Sequence, residues 1–203
     1  MKKEQNAEKT KVRKLARTKE KVSQWTTNPL NEKVLDYHNY EMTKSESVLY
    51  FVAAFLVGGV VSQFFYGGLF QEDGVPTLLT YISNSAAFVI VGLLVGKVFL
   101  PVRSRQLAEK RRDTLRRQFR DMLESLTASL AANSTVRDAF SSAYTDMCMQ
   151  YSDDALISKE LDQFRRAEQI NVTLNVMMDD FAKRSGVEEI QDFNNVFQVC
   201  YGP

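Results

Sequence analysis

The chain reads as an all-α protein: a transmembrane helical hairpin followed by a cytoplasmic antiparallel helical bundle. Three observations predict this. Two apolar stretches, Val48 to Phe70 and Leu78 to Leu100, are separated only by Gln71-Glu72-Asp73-Gly74-Val75-Pro76-Thr77. Lys and Arg crowd both flanks of this pair and are absent from the connector. From Arg103 onward, apolar residues recur at helical period with short interruptions. The implied organisation is a basic N-terminal tail (1–47), a two-helix hairpin (48–100) and a helical bundle (101–203).

The tail is rich in Lys, Glu, Gln and Thr. Val12, Leu15, Val22 and Trp25 are too sparse to form an apolar stripe, so the first thirty or so residues read as a disordered or surface-lying segment. The N-terminus does not read as a cleaved secretory signal, because apolar residues arrive only at Val48.

A helix rises about 1.5 Å per residue, so each apolar stretch covers roughly 30 Å or more, enough for a hydrocarbon core. The first is interrupted only by Ser62 and Gln63. The second carries Tyr81, Ser83, Asn84 and Ser85 near its start and Lys97 near its end, where a long side chain can reach the headgroups. Gly74 and Pro76 suit a turn. Ala54 with Gly58, and Gly92 with Gly96, make small-xxx-small pairs that either seat one helix on the other or form an oligomer contact. Basic residues resist translocation, so both flanks are expected on the cytoplasmic side and the connector, with Glu72 and Asp73, outside.

Five amphipathic helices follow. Leu115, Phe119, Met122, Leu126 and Leu130 line the first, and Val136, Ala139, Phe140, Ala143, Tyr144 and Met147 the second. Ile157, Leu161, Phe164 and Ala167 mark the third, and Leu174, Met177, Met178 and Phe181 the fourth. Val187, Ile190, Phe193, Phe197 and Cys200 mark the fifth. Short connections between such helices predict a compact bundle. Two joints resemble each other at a spacing of 38 residues: Asn133-Ser134-Thr135 and Asn171-Val172-Thr173. In each, Asn closes the preceding helix in a left-handed conformation and Thr caps the next. Both also match the N-glycosylation pattern, which has no use on a cytoplasmic side.

Chemistry-bearing constellations are few. His38 is the only histidine and has no cysteine or second histidine nearby. Cys148 and Cys200 have no Cys-x-x-Cys partner and read as buried free thiols in a reducing compartment. Gly92-Leu93-Leu94-Val95-Gly96-Lys97 imitates a phosphate loop, but its glycine spacing is short by one and no Ser or Thr follows the lysine. The acidic pairs Asp153/Asp154, Asp179/Asp180 and Glu188/Glu189 read mainly as helix-terminal or surface charge. Arg111, Arg112, Arg116 and Arg117 form a basic face that meets either an acidic protein surface or anionic lipid heads. No catalytic set, cofactor or metal site is expected. The net charge of +1 hides a basic first two-thirds and a more acidic end, and no base-reading fold accompanies the basic tail, which argues against nucleic acid as a partner.

The order of features resembles a known family. Asp36-Tyr37-His38-Asn39-Tyr40 leads into the hairpin. A basic helix then carries Gln118-Phe119-Arg120-Asp121-Met122-Leu123-Glu124-Ser125-Leu126. The two Asn joints follow, and then Phe181-Ala182-Lys183-Arg184-Ser185-Gly186. Over roughly residues 36 to 200 the chain is similar to the type II secretion system F family, in particular its tight-adherence B branch from Tad/Flp pilus systems. Family members usually carry Gly where this chain has Asn133 and Asn171. The resemblance implies a multi-pass platform in the bacterial cytoplasmic membrane with both termini cytoplasmic. It implies a secretion ATPase, pilin-like subunits and other platform subunits, including further copies of itself, as partners. It also implies further membrane helices after the bundle, so that this chain would be a C-terminally truncated form. A membrane-anchored signalling component that relays through its bundle is the alternative; the short outside connector leaves no room for a ligand-binding domain.

Overall fold

The computed structural model describes residues 23–66, 71–72, 75–76 and 78–201. Much of the basic tail and the turn at Gly74 lie outside them. The order is β1 (Trp25–Thr27), β2 (Lys33–Leu35), α1 (Lys44–Tyr66), β3 (Gln71–Glu72), β4 (Val75–Pro76), α2 (Leu78–Ala131), α3 (Val136–Tyr151), α4 (Leu156–Gln169), α5 (Leu174–Ser185) and α6 (Glu188–Tyr201). Among the described residues the protein is overwhelmingly helical, and its strands form two small antiparallel pairs. The chain divides into two compact units, one of residues 40–107 and one that joins the N-terminal segment up to Asn39 with everything from Ala108.

In the first unit, α1 and the beginning of α2 run antiparallel. Phe51 lies against Gly96, Phe55 against Gly92, and Phe88 against Gly59. A Cβ at Gly92 would come within 2.9 Å of the Phe55 carbonyl oxygen, so that position demands glycine by backbone approach alone. Phe55 and Phe88 meet edge to face at 5.7 Å. Ala54 and Gly58 are also buried, with Gly58 against Val95. The remaining faces are apolar and open: Phe64 is 88% exposed, and Leu49, Val57, Val60, Leu94 and Val98 also stand outward. Both helices are long and apolar enough to cross a membrane, yet only 22% and 11% of their most apolar stretches are buried. A short β3–β4 pair, Gln71 opposite Pro76 and Glu72 opposite Val75, links them. Although Pro101 cannot donate to the carbonyl one turn back, α2 continues through it.

The second unit is built on the predicted apolar faces. Leu115, Phe119, Met122 and Leu126 of α2 are buried with Ala139, Phe140, Ala143 and Met147 of α3. Ile157, Leu161, Phe164, Met177, Met178, Phe181, Val187, Ile190 and Phe197 complete the core. Six phenylalanines close a ring through it. Phe119 touches Phe181, which touches Phe164; Phe164 touches Phe140, Phe140 touches Phe197, Phe197 touches Phe193, and Phe193 returns to Phe119, all at 5.6–6.3 Å. Each such pair adds roughly 0.5–1.5 kcal/mol beyond simple burial. Two expected core residues lie outside: Leu130, one residue from the end of α2, is 39% exposed, and Cys200 in the last turn of α6 is exposed. Cys148 is half-buried, so neither thiol is sealed in the core as the sequence suggested.

The two Asn joints share one geometry. Asn133 and Asn171 have φ of 62° and 59°. The amide of Ser134 donates to Ser129 O at 3.3 Å and that of Val172 to Ala167 O at 2.9 Å, the same six-residue closure at both sites. The joints differ in their caps. Thr135 Oγ1 accepts from the Asp138 amide at 3.2 Å. Thr173 occupies the equivalent position, but its hydroxyl caps nothing, contrary to the expectation that it would. For α4, the cap residue is Ala155, which has no acceptor; Gln118 of α2 supplies one by taking the Ile157 N–H at 3.2 Å.

Residues 23–39 fall within the stretch that the sequence analysis assigned to a tail. Here they form the β1–β2 hairpin, with Trp25 opposite Leu35 and Thr27 opposite Lys33, and belong with the bundle. Val34 and Tyr37 are buried in it.

Candidate functional site

The most concentrated polar chemistry in the second unit lies where this hairpin meets α4 and α5. Arg184, in the last turn of α5, and Glu160 of α4 occupy positions on the buried faces of their helices. They are 6% and 2% exposed at the side chain. Their geometry is a fork on a carboxylate: Arg184 Nη1 donates to Glu160 Oε1 at 3.1 Å and Nη2 to Oε2 at 2.8 Å. Arg184 Nε donates to Asp180 Oδ2 at 2.7 Å, and Nη1 also reaches the Leu35 carbonyl at 2.8 Å. The hairpin returns these bonds. The Tyr37 hydroxyl donates to Glu160 Oε1 at 2.9 Å, and the Tyr37 amide donates to the Arg184 carbonyl at 3.0 Å. Gln163 Nε2 donates to Glu160 Oε2 at 3.3 Å, and Gln163 Oε1 accepts from Asn28 Nδ2 at 3.1 Å. Asn28 in turn holds the hairpin turn, accepting from the amides of Leu30 and Glu32.

Burial opposes the charge of Arg184, but Glu160 and Asp180 outweigh it, so the guanidinium is held charged beyond its ordinary range. Burial, reinforced by the Glu160 carboxylate, pushes the Tyr37 phenol well above its usual value. The arrangement therefore fixes one cation and a neutral phenol around a fully bonded carboxylate. It is chemistry for holding two pieces of chain together. A cleft of about 440 Å³ opens beside it, lined by Trp25, Lys33, Leu35, Leu156, Lys159, Asp162 and Arg166 among others. Arg166 closes one side by pairing with Glu32 at 3.2 Å.

The four arginines grouped by the sequence as one basic face have separate surroundings. Arg111 Nη1 donates to Gln24 Oε1 at 3.4 Å, toward the hairpin. Arg112 is half-buried, its Cδ beside Gly186. Arg116 is paired with Glu189 at 2.9 Å and Asp113 at 2.7 Å, and the Glu189 contact raises its pKa. Arg117 is exposed. The acidic pairs are similarly engaged: Asp154 with Lys159, Asp179 with Lys183, and Asp180 with Arg184. His38 Nδ1 lies 2.9 Å from Asp36 Oδ1. Burial pushes the Cys148 thiol up, which disfavours its thiolate.

Sequence reasoning passed over the Arg184 cluster. The signal was present: Glu160 stands three residues after Ile157 and four before Phe164, and Arg184 three residues after Phe181. Each is a charged residue at a core position of an otherwise apolar face. No protein-family model, curated protein or solved structure matches the chain.

Proposed function

We propose that the protein is a non-enzymatic membrane platform. In this reading α1 and the apolar beginning of α2 cross the cytoplasmic membrane as a hairpin, and the bundle stands in the cytoplasm. One observation carries it. Two helices of spanning length leave most of their apolar surface uncovered, where a core helix of a water-soluble protein would bury it. A second fact supports the even number of crossings. Residues 23–39 and 108–201 belong to one compact unit, and segments that pack together lie on one side of a bilayer. The basic flanks favour the cytoplasmic side for that unit.

The resemblance to the F family and its tight-adherence B branch extends the proposal. The bundle receives movement from a hexameric secretion ATPase, and the membrane part engages pilin-like subunits and further platform copies. The length of α2, which runs from Leu78 to Ala131 without a break, supports a role in transmission. Inserting two glycines beside Lys110 is expected to abolish pilus assembly while membrane insertion is retained; normal assembly in that variant rejects the transmission role. Co-purification of a secretion ATPase with the full chain in detergent tests the partner. Recovery of the chain in the supernatant after ultracentrifugation without detergent rejects the membrane reading itself.

A further inference from the structure

We infer that residues 23–39 act as a releasable clasp whose hold on the bundle is governed by Arg184. The attachment is mainly polar and directional. Among the described residues, Val34 and Tyr37 are the buried apolar residues that the hairpin contributes, with Leu30 and Leu35 packed partly buried against the core. Its hold also includes hydrogen bonds and an ion pair, from Asn28 to Gln163, Tyr37 to Glu160 and the Arg184 carbonyl, Leu35 to Arg184, Gln24 to Arg111 and Glu32 to Arg166. Such bonds exchange readily for water once the hairpin lifts, because Glu160 and Arg184 keep each other and gain hydration.

Arg184 is also where the state of the bundle is read. It joins α5 to α4 through Glu160, and it joins both to the hairpin through the Leu35 carbonyl and the Tyr37 amide. A shift of α5 along α4 that breaks the fork with Glu160 carries the Arg184 carbonyl away from the Tyr37 amide in the same movement. Packing of the two helices and docking of the hairpin are thus biased by one side chain, the requirement for a coupled two-state element. The hairpin leads into α1 through residues 40–43, so release changes the tether on that helix. The clasp does not depend on the platform reading, since it follows from contacts within one unit.

The test is limited trypsin cleavage of the full chain in detergent, with fragments assigned by mass spectrometry. Lys33 is exposed in β2, and its cleavage requires the hairpin to open, so its rate tracks the open population. Arg184→Met is expected to raise the rate at Lys33 by about tenfold or more, because it removes several charge-assisted bonds. In Tyr37→Phe, which leaves the Arg184–Glu160 pair intact, cleavage inside α3 and α4, at Arg137 and Lys159, is expected to stay unchanged. Tyr37→Phe removes one bond and leaves no charge unpaired, and it is expected to raise the Lys33 rate about fivefold. The single tryptophan, Trp25, sits on β1 and reports release by fluorescence in the same samples. An unchanged Lys33 rate in Tyr37→Phe overturns the clasp. Acceleration of the Arg137 and Lys159 sites in step with Lys33 in Tyr37→Phe also overturns it, since hairpin and bundle then open as one body. Neither readout involves a pilus or an ATPase, so the platform reading and the clasp fail separately.

Discussion

Tyr37 shows how a single residue ties pH to the fold. Its phenol is buried against Glu160, and both burial and that carboxylate oppose its ionisation. In the unfolded chain it loses its proton near its usual value of 10, while in the folded chain it keeps it well above that. Between those values the unfolded state binds fewer protons, so stability falls as pH rises. The contribution of Tyr37 is complete below about pH 10 and is lost as pH climbs through the raised folded value. An ultraviolet titration of the folded protein is therefore expected to show a late-ionising tyrosine, together with alkaline unfolding. Tyr37→Phe should remove that late step. A titration that keeps it places the last phenol elsewhere. The sequence singled out Asp36-Tyr37-His38 only as part of a family-like approach to the membrane. Its bond to Glu160 spans 123 residues, and no periodicity within either segment encodes such a pairing.

At the scale of elements, local chemistry was legible and its partners were not. The left-handed joints follow from Asn at 133 and 171, because Asn is one of few side chains that tolerate positive φ. The core faces follow from spacings of three and four. What spacing could not reveal is that six of those phenylalanines, drawn from α2 to α6, meet as one ring. The two joints also separate in a way their similar sequences conceal. Thr135 makes its cap bond and Thr173 does not. Thr135→Ala is expected to lower stability by about 1 kcal/mol, and Thr173→Ala by a few tenths at most. Chemical denaturation of the full chain in detergent measures both. Equal losses at the two sites show that the hydroxyl bond is not the source of the difference. Helix ends were the least legible feature: Leu130 and Cys200 continue the apolar pattern of α2 and α6 past the last turn that has core to cover.

For the whole molecule, the sequence divided the chain by composition into tail, hairpin and bundle, whereas the structure divides it by packing. The hairpin of apolar helices is an insertion within a unit whose first piece is residues 23–39. Charge patterning could not show this, because Asn28, Tyr37 and Val34 are scattered in a polar segment and become core residues only against α4 and α5. The arrangement predicts a labelling pattern. With Cys148 and Cys200 replaced by Ser, a cysteine at Glu32 and one at Gln198 are expected to react with an impermeant maleimide from the same side of sealed vesicles, and one at Glu72 from the opposite side. Labelling of positions 32 and 198 from opposite sides is incompatible with the packed unit.

The bond between the Leu35 carbonyl and Arg184 spans 149 residues, which has a consequence for biosynthesis. At about 5–20 residues per second, a ribosome needs roughly 7–30 s to make the second partner after the first. During that interval the β1–β2 hairpin has left the tunnel and the surface that will receive Tyr37 does not yet exist. In the proposed membrane topology, insertion of α1 and the apolar start of α2 then precedes closure of the fold. The nascent N-terminal segment waits as an unmatched strand pair, the stage at which a chaperone or a neighbouring ribosome's product has its best opportunity to intervene.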